Sequence, residues 1–155
     1  MSFNPLAIVV ALALLVGSSR ALDEPEQIRV SDLGRHPFVV GNLKITIKKL
    51  HLGSILINSY IEVTAENTSN LATTFNAQQL SFVGKDGILV RLQGRLGVEP
   101  IYGKSIYQSE RPVDMARPVK VAAHARVKRV YGFSGGMDLP ASFFYEGKKL
   151  ALIVK

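Results

Sequence analysis

Residues with the composition of a catalytic serine motif lie near the end of the chain. Gly132-Phe133-Ser134-Gly135-Gly136 fits the G-x-S-x-G pattern of a nucleophile elbow, in which a strand turns sharply into a helix and presents the serine. The next residues, Met137-Asp138-Leu139-Pro140, do not begin a helix, and no histidine follows Ser134. The stretch therefore predicts a glycine-rich turn, and we expect no catalytic serine.

A second motif resembles part of a phosphate-binding loop. Gly103-Lys104-Ser105 has the last three residues of the pattern, but the required glycine five residues before Gly103 is replaced by Val98. The lysine and serine must also open a helix whose amides hold the phosphates, and the residues after Ser105 predict none. We expect a loop and no nucleotide.

The sequence gives little support for a metal site or for acid–base catalysis. The sequence contains three histidines, His36, His51 and His124, and no two of them have the spacing of metal ligands. A metal site shared by them would require that distant strands converge. Glu62 and Glu66 are expected on a solvated strand face. Cysteine is absent, which removes disulfides, thiolate ligands and a lipid-modified cysteine. We therefore expect no cofactor, no metal and no enzyme.

Basic residues suggest a binding role. The net charge is +7, spread along the chain. If their strands are neighbours, a basic patch for an anionic polymer or membrane surface is expected at Lys44, Lys48, Lys120, Arg126, Lys128 and Arg129. The alternative is structural, since lysines on edge strands prevent edge-to-edge aggregation. Partners are also expected at loop ends, where we place Asn67, Tyr102 and Tyr107. Asn67-Thr68-Ser69 is a glycosylation acceptor only in a glycosylating host.

The N-terminus predicts export. Leu6 to Val16 is an unbroken apolar run, and Ser19 and Ala21 supply small residues for cleavage after Ala21. The run is shorter than the about 20 residues that cross a bilayer. Residues 1–21 are therefore interpreted as a signal peptide helix, with an uncleaved anchor or a core helix as alternatives. Residues 22–37 are polar and are expected to be either a flexible lead-in or a first edge strand at Gln27 to Val30.

The remaining residues, 38–155, show the two-residue period of β-strands. In Ile55 to Asn70, the side chains of Ile57, Ile61 and Val63 alternate with polar ones, which predicts the central strand. Phe38 to Leu50 is expected to be one strand with a bulge at Lys48-Lys49. Further strands are predicted at Gln79 to Val83, Ile88 to Leu92, Val119 to Phe133 (divided near Ala123-His124), Ala141 to Tyr145 and Lys149 to Val154.

These segments predict an all-β fold, an antiparallel sandwich of about seven to nine strands. Their order resembles the bacterial immunoglobulin-like secreted and lipoprotein domains that form a family of unknown function. The resemblance rests on Tyr60-Ile61-Glu62-Val63, Asn67-Thr68-Ser69-Asn70, Leu80-Ser81-Phe82, Lys85-Asp86-Gly87, Tyr131-Gly132-Phe133, Leu139-Pro140, Phe144-Tyr145 and Leu150-Ala151-Leu152-Ile153.

The resemblance implies an immunoglobulin-like β-sandwich and an accessory or binding role outside the cytoplasm. Many such domains are tethered through a lipidated cysteine, and the lack of cysteine here implies release. We therefore expect a secreted or periplasmic interaction module without catalytic activity. Its partner is expected to be a protein or a cell-envelope component, not a nucleotide or nucleic acid, and it meets the membrane only through the signal peptide before cleavage.

Overall fold

The chain forms an all-β fold, as the sequence predicts. The computed structural model describes residues 25–52, 59–95, 99–101, 104–106, 117–133 and 136–155. Two short 3₁₀ helices lie at Val30–Arg35 and Ala77–Gln79. The strands are β1 (Gln27–Arg29), β2 (Pro37–Val40), β3 (Leu43–His51), β4 (Ser59–Asn67), β5 (Thr73–Phe75), β6 (Leu80–Val83), β7 (Leu89–Arg95), β8 (Glu99–Ile101), β9 (Lys104–Ile106), β10 (Val119–Val121), β11 (Arg126–Phe133), β12 (Ala141–Tyr145) and β13 (Lys148–Val154).

Nine of the described strands form one curled sheet in the order β1-β13-β12-β6-β7-β11-β4-β3-β2. Its pairs are antiparallel except β1 with β13, which run parallel, so the fully antiparallel arrangement that we expected differs from the structure at this edge. Strand β7 pairs with both β6 and β11, and the two halves of the sheet are therefore continuous. β5 pairs with β10, and β8 with β9, in two small ladders.

Aromatic side chains fill the space enclosed by the curl. Phe38 on β2 and Phe143 on β12 come from distant parts of the sheet, yet their ring centroids are 5.1 Å apart. Phe82 on β6 meets Phe133 on β11 edge-to-face at 5.3 Å. Such pairs contribute about 0.5–1.5 kcal/mol beyond the area that they bury. The two halves of the sheet thus enclose one apolar core.

The central strand is confirmed as β4. Ile61, Val63 and Ala65 are buried in the core, and Ser59 on the same face is buried as well. The neighbouring strands β3 and β11 flank β4 on both sides, which explains why this strand carries the most regular alternation. Ile57, which we also expect in the core, lies outside the described residues.

The stretch from Phe38 to Leu50 is two strands, not the single strand that the alternation predicts. β2 and β3 pair antiparallel around a turn at Gly41-Asn42, with Val40 opposite Leu43. Gly41 has φ 56°, a left-handed conformation that glycine adopts without steric cost. A Gly-Asn pair between two apolar runs is a hairpin signal, and it identifies the turn.

The other predicted hairpins are confirmed. β6 and β7 pair across Gly84 to Ile88, where the Gly84 amide donates to the Ile88 carbonyl at 3.2 Å. β12 and β13 pair across Glu146-Gly147, both with positive φ. β10 and β11 are separated at Ala122 to Ala125, near the division that we expect at Ala123-His124.

The chain before residue 38 contributes to this fold. Of the two alternatives for residues 22–37, the structure shows the edge strand, as β1, which pairs with β13. The 3₁₀ helix that follows places Leu33 in the core at 1% exposure. The predicted signal peptide at residues 1–21 and its cleavage site after Ala21 lie outside the described residues. None of the helices that the described residues form combines the length and apolar character needed to cross a bilayer.

Candidate functional site

The candidate site lies on the face of β3, β4 and β11 that points away from the core, which we call the polar face. Alternation along β4 places Tyr60, Glu62, Thr64 and Glu66 on this face, because Ile61, Val63 and Ala65 occupy the other. The register aligns Lys44 of β3, Glu66 of β4 and Arg126 of β11 in one row across the three strands. Arg126 Nη2 donates to Glu66 Oε2 at 2.9 Å.

The 3₁₀ helix at Val30–Arg35 forms a wall beside this face. Its Leu33 is anchored in the core, and Lys48 Nζ of β3 donates to the Gly34 carbonyl at 2.8 Å. The predicted bulge at Lys48-Lys49 is confirmed by a register shift between Ile47 and Lys49. Lys48 continues the row of Lys44 and Thr46 on the polar face, and the alternation breaks only after it, at Lys49.

A groove of about 420 Å³ runs between the wall and the polar face. Thr46 and Thr64 lie at its floor and are 9% and 7% exposed, respectively. Hydroxyl groups at these positions offer both donors and acceptors to a ligand. The groove is lined by Gly34, Arg35, Pro37, Lys44, Thr46, Lys48, Thr64, Glu66 and Arg126.

The groove is electropositive. Four cationic side chains and one carboxylate line it, and the carboxylate, Glu66, is already paired with Arg126. Within the described part of the chain, Arg35 and Lys44 have no carboxylate at ion-pair distance, and Lys48 donates to a neutral carbonyl. Three positive charges are therefore left without a counter-charge from the residues that the structure describes. A concave surface with one sign of charge concentrates ions of the other sign.

The six cations that we predicted as a basic patch are divided among several places. Lys44, Lys48 and Arg126 line the groove. Lys128 lies on the same polar face, where its Nζ is 2.8 Å from Glu62 Oε1. Arg129 lies on the opposite face of β11, since it alternates with Lys128 and pairs with the buried Val63. Lys120 belongs to β10 in the separate ladder with β5. The structure thus brings together four of the predicted side chains.

Sequence reasoning missed three lining residues, Arg35, Thr46 and Thr64. The alternation of β3 contained a signal for Thr46, because Thr46 lies between Lys44 and Lys48 with the same period. No comparable signal existed for Arg35, which reaches the groove only because the 3₁₀ helix folds back against β3. Its position depends on tertiary structure.

Asn67, which we expect at the loop rim, is buried at 1% exposure. Its Nδ2 donates to the carbonyls of Leu71 at 2.7 Å, Val121 at 3.1 Å and Ala122 at 3.0 Å. Its Oδ1 accepts from the amide and the hydroxyl of Ser69. Asn67 therefore joins β4 to the start of the β10–β11 connection and is not exposed to a partner. Tyr102 and Tyr107 lie outside the described residues.

The described residues that were considered for metal binding each contact a different neighbour. Ser134 and Gly103 lie outside the described residues, and Lys104 and Ser105 begin the short strand β9. Each histidine has its own neighbour: Glu26 for His36 at 3.2 Å, Tyr60 for His51, and Asn70 for His124 at 2.7 Å. The described residues contain no group of three His, Cys, Asp or Glu side chains that could hold a metal ion.

Among the titratable residues that the structure describes, Tyr145 has a clearly shifted pKa. Burial raises the pKa of its phenol, while the hydrogen bond from the Asn76 amide to Tyr145 Oη at 3.2 Å acts in the opposite direction. Its ring stacks on Phe75 with centroids 6.0 Å apart. Tyr145 lies in the core, away from the groove, so its environment explains stability and not binding.

Comparisons with known proteins identify no family for the chain. No family model and no curated protein matches the chain. Among solved structures, the crystal structure of the yjhA protein from Bacillus subtilis is similar, with a TM-score of 0.49 and 16% sequence identity. The match covers 77% of this chain and 79% of that chain. A proposal for function therefore rests on the residues of the groove.

Proposed function

We propose that the chain is a non-catalytic binding module that recognises an anionic ligand through the groove on the polar face. The observation that carries the proposal is the imbalance of charge: Arg35, Lys44 and Lys48 line one concave surface without a carboxylate partner among the described residues. Clefts in which a few polar groups converge are the usual location of ligand sites. The threonine hydroxyls on the floor add hydrogen-bonding groups suited to oxyanions.

We further propose that the partner is an anionic component of the cell envelope. Residues 1–21 have the apolar run and small residues of a signal peptide, and we propose that the mature chain acts in the periplasm or outside the cell. Lack of cysteine agrees with release rather than lipid anchoring. A protein partner at the same surface is the second form of this proposal.

We also propose that the curled sheet belongs to the immunoglobulin-like sandwiches. The support is the aromatic layer between its halves, made by Phe38 with Phe143 and Phe82 with Phe133. An experimental structure tests the proposal. Two face-to-face layers joined by Greek-key connections support it, and a closed barrel contradicts it.

The test of anion binding is the retention of the full chain on immobilised polyphosphate and on an immobilised uronic acid polymer. Surface electrostatics are strongest at about 10 mM salt, where the Debye length is about 30 Å. We expect retention there on at least one polymer, with progressive release toward about 150 mM salt. Absence of retention on both polymers at low salt contradicts the proposed function.

A matched pair of variants localises the binding. Lys44→Gln removes a cation from the groove, and Lys120→Gln removes one from the separate β10–β5 ladder, so both change the net charge equally. Each lost contact lowers the slope of log affinity against log salt by about 1. We expect that decrease for Lys44→Gln alone. Equal effects of the two variants would show that binding follows net charge and not the groove.

A further inference from the structure

An aromatic pair lies on the polar face at the end opposite the groove. His51 of β3 and Tyr60 of β4 are register partners, and their rings stack with centroids 4.8 Å apart and an angle of 17° between planes. Lys49 Nζ lies 5.8 Å from the centroid of the Tyr60 ring. His51 and Lys49 are exposed, while Tyr60 is half-buried. The pair therefore offers an aromatic surface with a cation beside it.

The aromatic pair and the groove form one continuous strip. Tyr60 and Glu66 lie on the same side of β4, six residues apart, which corresponds to about 20 Å at about 3.3 Å per residue. The side chains between them on β4 are Glu62 and Thr64, both on this side. A ligand that contacts both ends of the strip must be an extended chain and not a single ion.

The carboxylates of the strip indicate how charge is distributed along that ligand. Glu62 and Glu66 lie between the aromatic pair and the far end of the groove, where they pair with Lys128 and Arg126. Polyphosphate has no hydroxyl groups between its charges and would place negative groups next to both carboxylates, which costs energy by repulsion. An acidic polysaccharide separates its carboxylates by hydroxyl groups, which can donate hydrogen bonds to Glu62 and Glu66.

We propose that the ligand is an acidic polysaccharide, with its carboxylate in the groove at Lys44 and Arg35 and a sugar ring on His51 and Tyr60. Sugar hydroxyls then meet Thr46, Thr64 and the two carboxylates along the strip. The apolar face of a sugar ring packs on an aromatic side chain, and its hydroxyls satisfy the polar groups around it. This inference rests on the proposed function, because it names the chemical class of the same anionic ligand.

The test compares a uronic acid polymer, polyphosphate, a single-stranded oligonucleotide and neutral dextran as ligands of the full chain. We expect the uronic acid polymer to bind most tightly. His51→Ala should weaken its binding about two- to tenfold, the range that aromatic pair energies give, and leave polyphosphate binding unchanged. Because polyphosphate has no ring, unchanged polyphosphate binding also shows that the variant is folded.

The outcomes separate the two proposals. The polysaccharide inference is overturned if polyphosphate and the uronic acid polymer bind with equal affinity and His51→Ala changes neither. That result leaves the proposal of an anion-binding groove intact. Preference for the oligonucleotide with a loss on His51→Ala overturns it too, since it indicates a nucleic-acid surface. Binding of neutral dextran as tight as that of the uronic acid polymer removes the role of the groove charges. Absence of binding to every polyanion overturns both proposals.

Discussion

Replacement of Asn67 by alanine tests the role of the most highly connected polar side chain in the described core. The Asn67 amide holds carbonyls from two separate segments, at Leu71 and at Val121-Ala122. With two hydrogens for three carbonyls, at least one hydrogen is shared. The side chain therefore fixes where the loop after β4 lies relative to the connection between β10 and β11.

The expected cost follows from the partners that remain in Asn67→Ala. The Leu71 carbonyl keeps the Ser69 hydroxyl at 2.9 Å, and the Ala122 carbonyl keeps the Ala125 amide at 3.1 Å. The buried bond to the Val121 carbonyl is lost, together with the packing of the side chain. A buried polar group without its partner costs about 1–3 kcal/mol, so a decrease of about 3 kcal/mol in the free energy of unfolding is expected. That is a large part of a typical 5–15 kcal/mol.

Equilibrium unfolding in urea, followed by circular dichroism, measures this change. Asn70→Ala is the matched control, because Asn70 is exposed and makes one hydrogen bond, to His124 at 2.7 Å. We expect it to cost no more than about 1 kcal/mol. Asn67→Asp should be at least as unstable as Asn67→Ala, since a carboxylate would face three carbonyl oxygens. If Asn67→Ala unfolds at the same urea concentration as Asn70→Ala, the side chain does not hold the two segments together.

Two further changes test the core. Ile61→Asn should lower the free energy of unfolding by about 3–5 kcal/mol, because Ile61 is fully buried. The control Val39→Asn should change it little, because Val39 is 64% exposed. Equal urea midpoints for the two variants would contradict the assignment of β4. Tyr145→Phe should cost about 1 kcal/mol near neutral pH through loss of the Asn76 hydrogen bond. Since burial raises the pKa of Tyr145 above 10.0, the folded state favours the neutral phenol, and this stabilisation is complete below pH 10 and lost as pH rises beyond it. The advantage of the wild type over Tyr145→Phe should therefore shrink in unfolding experiments above pH 10, and an advantage that grows there would contradict the buried neutral phenol.

The sequence predicted those parts of the fold that depend on the alternation of apolar and polar side chains and on turn residues. β4 was predictable because Ile61, Val63 and Ala65 repeat with period two, and the β6–β7 hairpin because Asp86-Gly87 marks its turn. The same rules contained information that the prediction did not use. Gly41-Asn42 indicates a hairpin within residues 38–50, and strict alternation along β11 separates the faces of Lys128 and Arg129.

The candidate site was less predictable because tertiary contacts create it. Lys44 and Lys48 were identified as basic residues on one strand, but their groove exists only where the 3₁₀ helix at Val30–Arg35 packs beside β3. For Asn67, the predicted exposure to a partner was wrong. A polar residue at a strand end predicts an exposed turn, yet it is buried because its amide satisfies carbonyls that are distant in sequence, at Val121 and Ala122.

The bulge at Lys48 connects the fold to the proposed site. In a regular strand that starts with Lys44 on the polar face, period two would place Leu50 on that face and turn His51 toward the core. The extra residue reverses this order, so that Leu50 packs against the core while Lys49 and His51 lie opposite Glu62 and Tyr60. Lys48, which regular alternation already places on the polar face, binds the Gly34 carbonyl and holds the wall of the groove. The basic groove and the aromatic pair can therefore share one face because β3 contains one residue more than its partner.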